Sequence, residues 1–200
     1  MMEHASALEA ALYLMQSPSQ VRVIRSRPLP DGVEVLLRIS ANDTDTTRQA
    51  TQWLGRSPET IRQAAAFFIE QILFFSDADS YRVLGTTPQA SNGDLRRNMA
   101  LLLRWLHPDL DPQGERSVFA RRVTLAWNDL KTQERRDAYD RSKRLSAAQQ
   151  SLGRKRRVIR PKAPQAKGEQ PHYVKRNGQN PYPNGFLRRM FQSLVDRFAL

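Results

Sequence analysis

At 200 residues with 40% apolar content, the chain has room for one ordinary domain plus attachments, or two small ones, and part of it is expected outside any core. There is no cysteine, which excludes disulfides, thiolate metal sites and cysteine nucleophiles, and His4, His107 and His172 are too scattered for a metal site. The net charge of +12 belongs to a tail: residues 1–76 hold seven Arg against eight carboxylates, residues 77–141 eleven cations against ten, and residues 142–176 eleven against Glu169 alone.

In chain order, Ala7, Leu8, Ala11, Leu12 and Met15 recur at helical spacing. The surrounding stretch, with Glu3 and Glu9 and no early cation, does not fit a secretory leader. Val21 to Arg25 and Val33 to Ile39 flank Pro28-Leu-Pro-Asp-Gly32 and predict a strand pair. A helix is expected over about 44–54. A second begins at Ser57-Pro58-Glu59, a cap followed by proline at the first helical position, and buries Ile61, Ala65, Phe68, Ile69, Ile72 and Phe75. The apolar run 64–75 is broken by Glu70 and Gln71 and is too short to span a bilayer, so a cytoplasmic location is expected.

Residues 77 to 141 carry a compact helical pattern. Asp79 to Gly85 reads as a short helix ended by glycine, and Ser91-Asn-Gly-Asp94 caps a long helix to Leu106. Pro108 breaks that helix and restricts His107 before it. A further helix from Glu115 to Leu130 places Phe119, Val123, Ala126, Trp127 and Leu130 on one face. Against Leu95, Met99, Leu102 and Leu106 this gives an antiparallel hairpin with His107-Pro108-Asp109 at its tip. Glu134 to Asp140 is expected to form a short closing helix.

These segments resemble the J domain of DnaJ-type co-chaperones. Tyr81-Arg-Val-Leu-Gly85 is similar to the family's opening helix, and His107-Pro108-Asp109 to its signature tripeptide. Phe119 with Ala126-Trp127-Asn-Asp-Leu130 resembles the third helix, with Trp in place of the usual Tyr, and Arg135-Arg-Asp-Ala-Tyr-Asp140 resembles the closing motif. The tripeptide alone is weak, whereas the ordered set is specific. The resemblance implies a co-chaperone, not an enzyme, with no cofactor and no small-molecule substrate, partnered by a DnaK-type ATPase chaperone. It implies that His107, Pro108 and Asp109 engage that chaperone, with Arg96, Arg97 and Arg104 steering. The alternative is that the tripeptide only ends a helix. Nothing in the sequence completes a catalytic triad around His107.

The sequence also departs from the family. Ala100, Leu101 and Trp105 stand where cations are common, so Leu101 and Trp105 form either an exposed strip or a surface covered by the N-terminal helices; covering is the favoured reading. No zinc module or Gly/Phe-rich linker is present.

The expected fold is therefore mainly α: a J-domain hairpin over 77–142 behind an N-terminal α+β extension, 1–76, with one β-hairpin and two or three helices. A disordered basic linker, 143–185, and an amphipathic helix, 186–200, follow. Arg154, Lys155, Arg156, Arg157, Arg160 and Lys162 either contact an anionic surface (RNA, DNA or membrane) or merely solvate the linker. The terminal helix, with Phe186, Leu187, Met190, Phe191, Leu194, Val195 and Phe198 on one face, fits self-docking, partner docking or a peripheral membrane role. The client is left unspecified.

Overall fold

The computed structural model describes residues 6–107 and 116–158. Among these, every regular element is helical: α1 (Ala7–Gln16), a 3-10 turn (Pro18–Gln20), α2 (Val21–Arg25), α3 (Val33–Ser40), α4 (Thr44–Leu54), α5 (Pro58–Phe68) continued by a π-turn (Ile69–Leu73), α6 (Ser80–Val83), α7 (Asn92–Trp105), α8 (Ser117–Leu130) and α9 (Gln133–Val158). One compact unit ends at Tyr139 and a second starts at Asp140.

The expected strand pair is replaced by α2 and α3. In α3 the buried residues Val33, Leu36, Leu37 and Ser40 fall at i, i+3, i+4 and i+7, with Ile39 beside them. That is the repeat of a helix face, and it overrides the β preference of the branched residues. Gly32, in the left-handed region at φ +83°, starts the helix, and Glu34 pairs with Arg38 one turn on, at 2.7 Å. The five residues of α2 bury only Val21. Arg25 instead anchors this segment, its Nε donating to the Gln71 carbonyl (2.8 Å) and its Nη2 to Gln71 Oε1 (3.1 Å).

α5 starts as expected, with Ser57 Oγ accepting from the Thr60 amide and Pro58 in the first turn. Its end differs. The Phe74 amide donates to the Ile69 carbonyl five residues back, so one extra residue enters the turn and the inward face rotates. Leu73 and Phe74 are buried in consequence, and Phe75 is only partly so. Phe75 stacks beneath cations instead, with the Arg25 guanidinium 5.2 Å and the Arg82 guanidinium 5.9 Å from its ring centroid.

α5 is the centre of the N-terminal half: α1, α3 and α4 pack on it, and Ile61, Ala64, Ala65 and Phe68 are fully enclosed. In the second half α6 and α7 both pack on α8. α3 lies against α7 as well as α5, so the two halves share one core up to Tyr139. The halves approach closely at Gly85, at φ +63°. A Cβ there would sit 2.8 Å from Val33 Cγ1 and 3.4 Å from Leu73 Cδ1. The glycine that ends α6 thus serves both the turn and the seat of α3.

The closing helix is far longer than expected, and the segment read as a linker from 143 is helical as far as Val158. Leu, Ala, Gln, Lys and Arg dominate 141–158 and are good helix formers, and the next proline is Pro161. Cation richness with few apolar residues resembles disorder, yet it carries no backbone penalty. The remainder of the basic segment and the amphipathic stretch 186–200 lie outside the described residues.

Candidate functional site

The hairpin of α7 and α8 is built as the sequence indicates. Ser91 accepts from the Asp94 amide (3.1 Å) and Asp94 accepts from the Ser91 amide (3.2 Å), a reciprocal cap that starts α7. Leu95, Met99, Leu102 and Leu106 are buried, facing Ala120, Val123, Ala126 and Leu130 of α8. Phe119 and Trp127 are partly exposed. Hydrogen bonds from Ser91 hold the Asp94 carboxyl below its ordinary value of 3.8. A carboxylate whose folded-state pKa is depressed stabilises the fold above its unfolded value and ceases to do so as pH falls through the folded value. The start of α7 is therefore expected to loosen only below pH ~4. An NMR titration of Asp94 with a midpoint at or above 3.8 would contradict the cap.

Polar contacts around the hairpin hold its base. The buried Asn98 amide donates to the Leu84 carbonyl (3.0 Å) and the Gly85 carbonyl (3.3 Å), capping α6 from α7. The Ser80 amide donates to Tyr139 Oη at 2.9 Å, and Ser80 Oγ to Asp129 at 2.7 Å. Tyr81 meets Tyr139 edge to face at 5.9 Å. The opening helix, the third helix and the closing motif thus meet at Ser80 and Tyr81.

At the other end, α7 stops at Leu106, and the His107 amide donates to the Arg104 carbonyl at 3.1 Å. His107 is partly buried. Pro108 and Asp109 lie outside the described residues. Arg96, Ala100 and Arg104 are exposed and follow one another at i, i+4 and i+8, on the side away from α8, and this row leads to His107. Arg97 lies at the edge of the same face. It pairs with Asp94 on its own helix and, at 3.5 Å, with Glu34 of α3.

The two apolar departures separate. Trp105 is buried, 3% exposed, with its ring 6.2 Å from Phe74 and under the Arg116 guanidinium at 4.9 Å. Phe74 in turn stacks on Phe119 at 4.7 Å, and Arg116 pairs with Glu70 at 3.4 Å. Trp105 is covered from the N-terminal side, as favoured from the sequence, whereas Leu101 stays partly exposed. Glu34, Glu70, Phe74 and Asn98 were not legible as parts of this region. Only the Leu101–Trp105 spacing hinted that something covers α7.

Among the described residues no group of three or more His, Asp or Glu side chains is placed to hold a metal, and no helix is long and apolar enough to cross a membrane. Arg154, Lys155, Arg156 and Arg157 fall within α9, while Arg160 and Lys162 lie outside the described residues.

The chain resembles the mitochondrial chaperone protein dnaJ GFA2 of Arabidopsis thaliana, with 37% identity over 70 residues. It also resembles chaperone protein DnaJ of Leifsonia xyli subsp. xyli, at 36% over 64 residues, and chaperone protein DnaJ 1 of Mycobacterium leprae, at 34% over 71. About a third of the chain is thus similar to DnaJ-type chaperone proteins. The matches cover 34%, 32% and 36% of this chain but only 15%, 17% and 18% of those proteins. No family model matches the chain, and no solved structure does. The J-domain-like hairpin is joined through α7 to a helical N-terminal half, and α3 lies directly against α7.

Proposed function

We propose that this protein is a co-chaperone whose J domain stimulates ATP hydrolysis by a DnaK-type chaperone and brings that chaperone to a client, without catalysing a reaction itself. The observation that supports this best is the outer face of α7. The N-terminal helices take up one flank of α7, yet Arg96, Ala100 and Arg104 remain exposed in a row that ends at His107. Such a row offers cations to an acidic partner surface and delivers the tripeptide to it. Asp109 supplies the charged acceptor for a partner arginine, and Pro108 fixes its place in the chain.

The test is single-turnover ATP hydrolysis by a DnaK-type chaperone, with the wild type, with Asp109→Asn and with Arg104→Ala. The wild type accelerates hydrolysis and Asp109→Asn does not. Arg104→Ala keeps the maximal rate but raises the half-saturating concentration about two- to fivefold, from ~0.5–1 kcal/mol for one exposed charge pair. That defect shrinks as salt rises. Equal stimulation by the wild type and Asp109→Asn would refute the reading.

A further inference from the structure

Of the eleven residues of α4 only Thr47 and Ala50 are buried, and its last turn carries Trp53 with the side chain 61% exposed. Trp105, by contrast, is buried, and Trp127 is partly so. A single exposed apolar side chain is ordinary, but Trp53 lines a groove of about 600 Å³ between the start of α1, the outer side of α3 and α4. Leu8 and Ala50, both buried, also line it, and Val35, 37% exposed, faces it from α3. Thr46, Ala50 and Trp53 fall at i, i+4 and i+7, on one face of α4. That face runs about 10 Å at 1.5 Å per residue, the span of roughly three extended residues. The whole lining precedes residue 77, outside the stretch that resembles a J domain.

The charges of the groove cancel. Its charged lining residues are Glu34 and Arg38, with Arg38 Nη2 2.7 Å from Glu34 Oε1. Arg97 of α7 meets the same carboxylate at 3.5 Å and is itself paired with Asp94. Two carboxylates thus answer two guanidinium groups, and a charged occupant would have to break these pairs. The match is to an uncharged apolar surface.

We infer that this groove docks a short, uncharged apolar segment of another polypeptide, with Trp53 as its anchor. Tryptophan at the edge of a concavity is the side chain that most often carries such contacts. Gln49, exposed on α4 in the same lining, offers a donor and an acceptor to the backbone of the segment. A second copy of the chain fits poorly. Among the described residues its other exposed large apolar side chains are Val23, Val118, Leu125 and Leu145, and the only two on one helix, Val118 and Leu125, have exposed Arg121 between them. Because Glu34 joins the groove to Arg97, the segment is held one side chain away from the exposed arginines of α7. The role of that placement rests on the co-chaperone reading: the docked protein is the one to which the chaperone is brought.

The test uses the full chain and three capped fluorescent octapeptides: one of alternating leucine and serine, one with two leucines replaced by glutamate, and one with two replaced by lysine. Anisotropy is expected to show saturable binding of the uncharged peptide and about tenfold weaker binding of both charged forms. Trp53→Ala weakens the uncharged peptide by about tenfold or more, and Val35→Ser weakens it less. Both side chains are exposed, so the thermal midpoints stay close to that of the wild type. Tryptophan emission moves to the blue as the peptide covers the indole, and Trp53→Phe removes that shift while binding persists. Equal binding of the charged peptides, or undiminished binding by Trp53→Ala, overturns the inference. So does a dimer in sedimentation that Trp53→Ala dissolves, since a second copy then fills the groove. ATPase stimulation measured without peptide separates the two readings. Stimulation without peptide binding overturns the docking site alone, whereas peptide binding without stimulation supports the docking site and overturns the co-chaperone reading.

Discussion

Replacing Trp105 with alanine is expected to cost about 3–5 kcal/mol of stability, the range for removing a buried aromatic from a core that collapses only in part. The indole is 3% exposed and stacks on Phe74 at 6.2 Å with the rings 26° apart. Phe74 continues the stack to Phe119 at 4.7 Å, and the Arg116 guanidinium closes it at 4.9 Å from the indole. These groups come from three places: the end of the N-terminal half, the end of α7, and the start of α8. Truncating Trp105 therefore removes transfer free energy, the ring contact with Phe74 and a cation–π partner at once.

Urea unfolding followed by far-UV circular dichroism measures the loss. Because the cluster joins the N-terminal half to the α7–α8 hairpin, the wild type is expected to unfold in one transition up to Tyr139, and the variant to lower its midpoint or split it. Trp105→Phe keeps the stack and loses about 1 kcal/mol. A loss below ~1 kcal/mol for the alanine variant would mean that the N-terminal half does not rest on α7 through this residue.

This cluster also marks where the sequence stops being informative. Local signals were readable: the Ser91–Asp94 cap, the Ser57-Pro58 start and the Gly85 stop act within a few residues, and each is found where the residues indicate. The J hairpin followed because its apolar face repeats over several turns. The N-terminal half was misread where two patterns compete. Val33 to Ile39 is rich in β-branched residues but helical in period, and only its burial against α5 and α7 decides between them. The π-turn after Phe68 leaves no trace in composition, yet it exchanges Phe75 for Phe74 as the buried ring and so places the residue that covers Trp105. In the candidate site, the exposed arginines and His107 were legible from spacing, while Glu34 beside Arg97 and Asn98 beneath Gly85 depend on packing between distant segments.

Arg136→Ala is expected to destabilise the first unit by about 2–4 kcal/mol, because it strands two acceptors that a charged donor now satisfies. The residue is 9% exposed, with Nη1 donating to the Ala90 carbonyl at 2.9 Å and Nη2 to Asn92 Oδ1 at 2.6 Å. It thereby fastens the segment that leads into α7 to the start of α9. Both acceptors are neutral, so the interaction is a forked hydrogen bond and not an ion pair. Two consequences separate it from a surface charge effect. The loss on Arg136→Ala stays nearly constant from low to high salt, since no exposed pair is screened. Arg136→Lys keeps the charge but not the fork, and recovers less than half of the loss. Full recovery by lysine, or a loss that fades with salt, would show that charge alone is what the site requires. Tyr139 follows Arg136 by one helical step, at i+3, and accepts the Ser80 amide bond, so the same substitution loosens the contact between α9 and the opening helix. The Arg-Arg-Asp-Ala-Tyr motif thus braces the start of α6 and the start of α7, and the orientation of the α7 face presented to a partner depends on it.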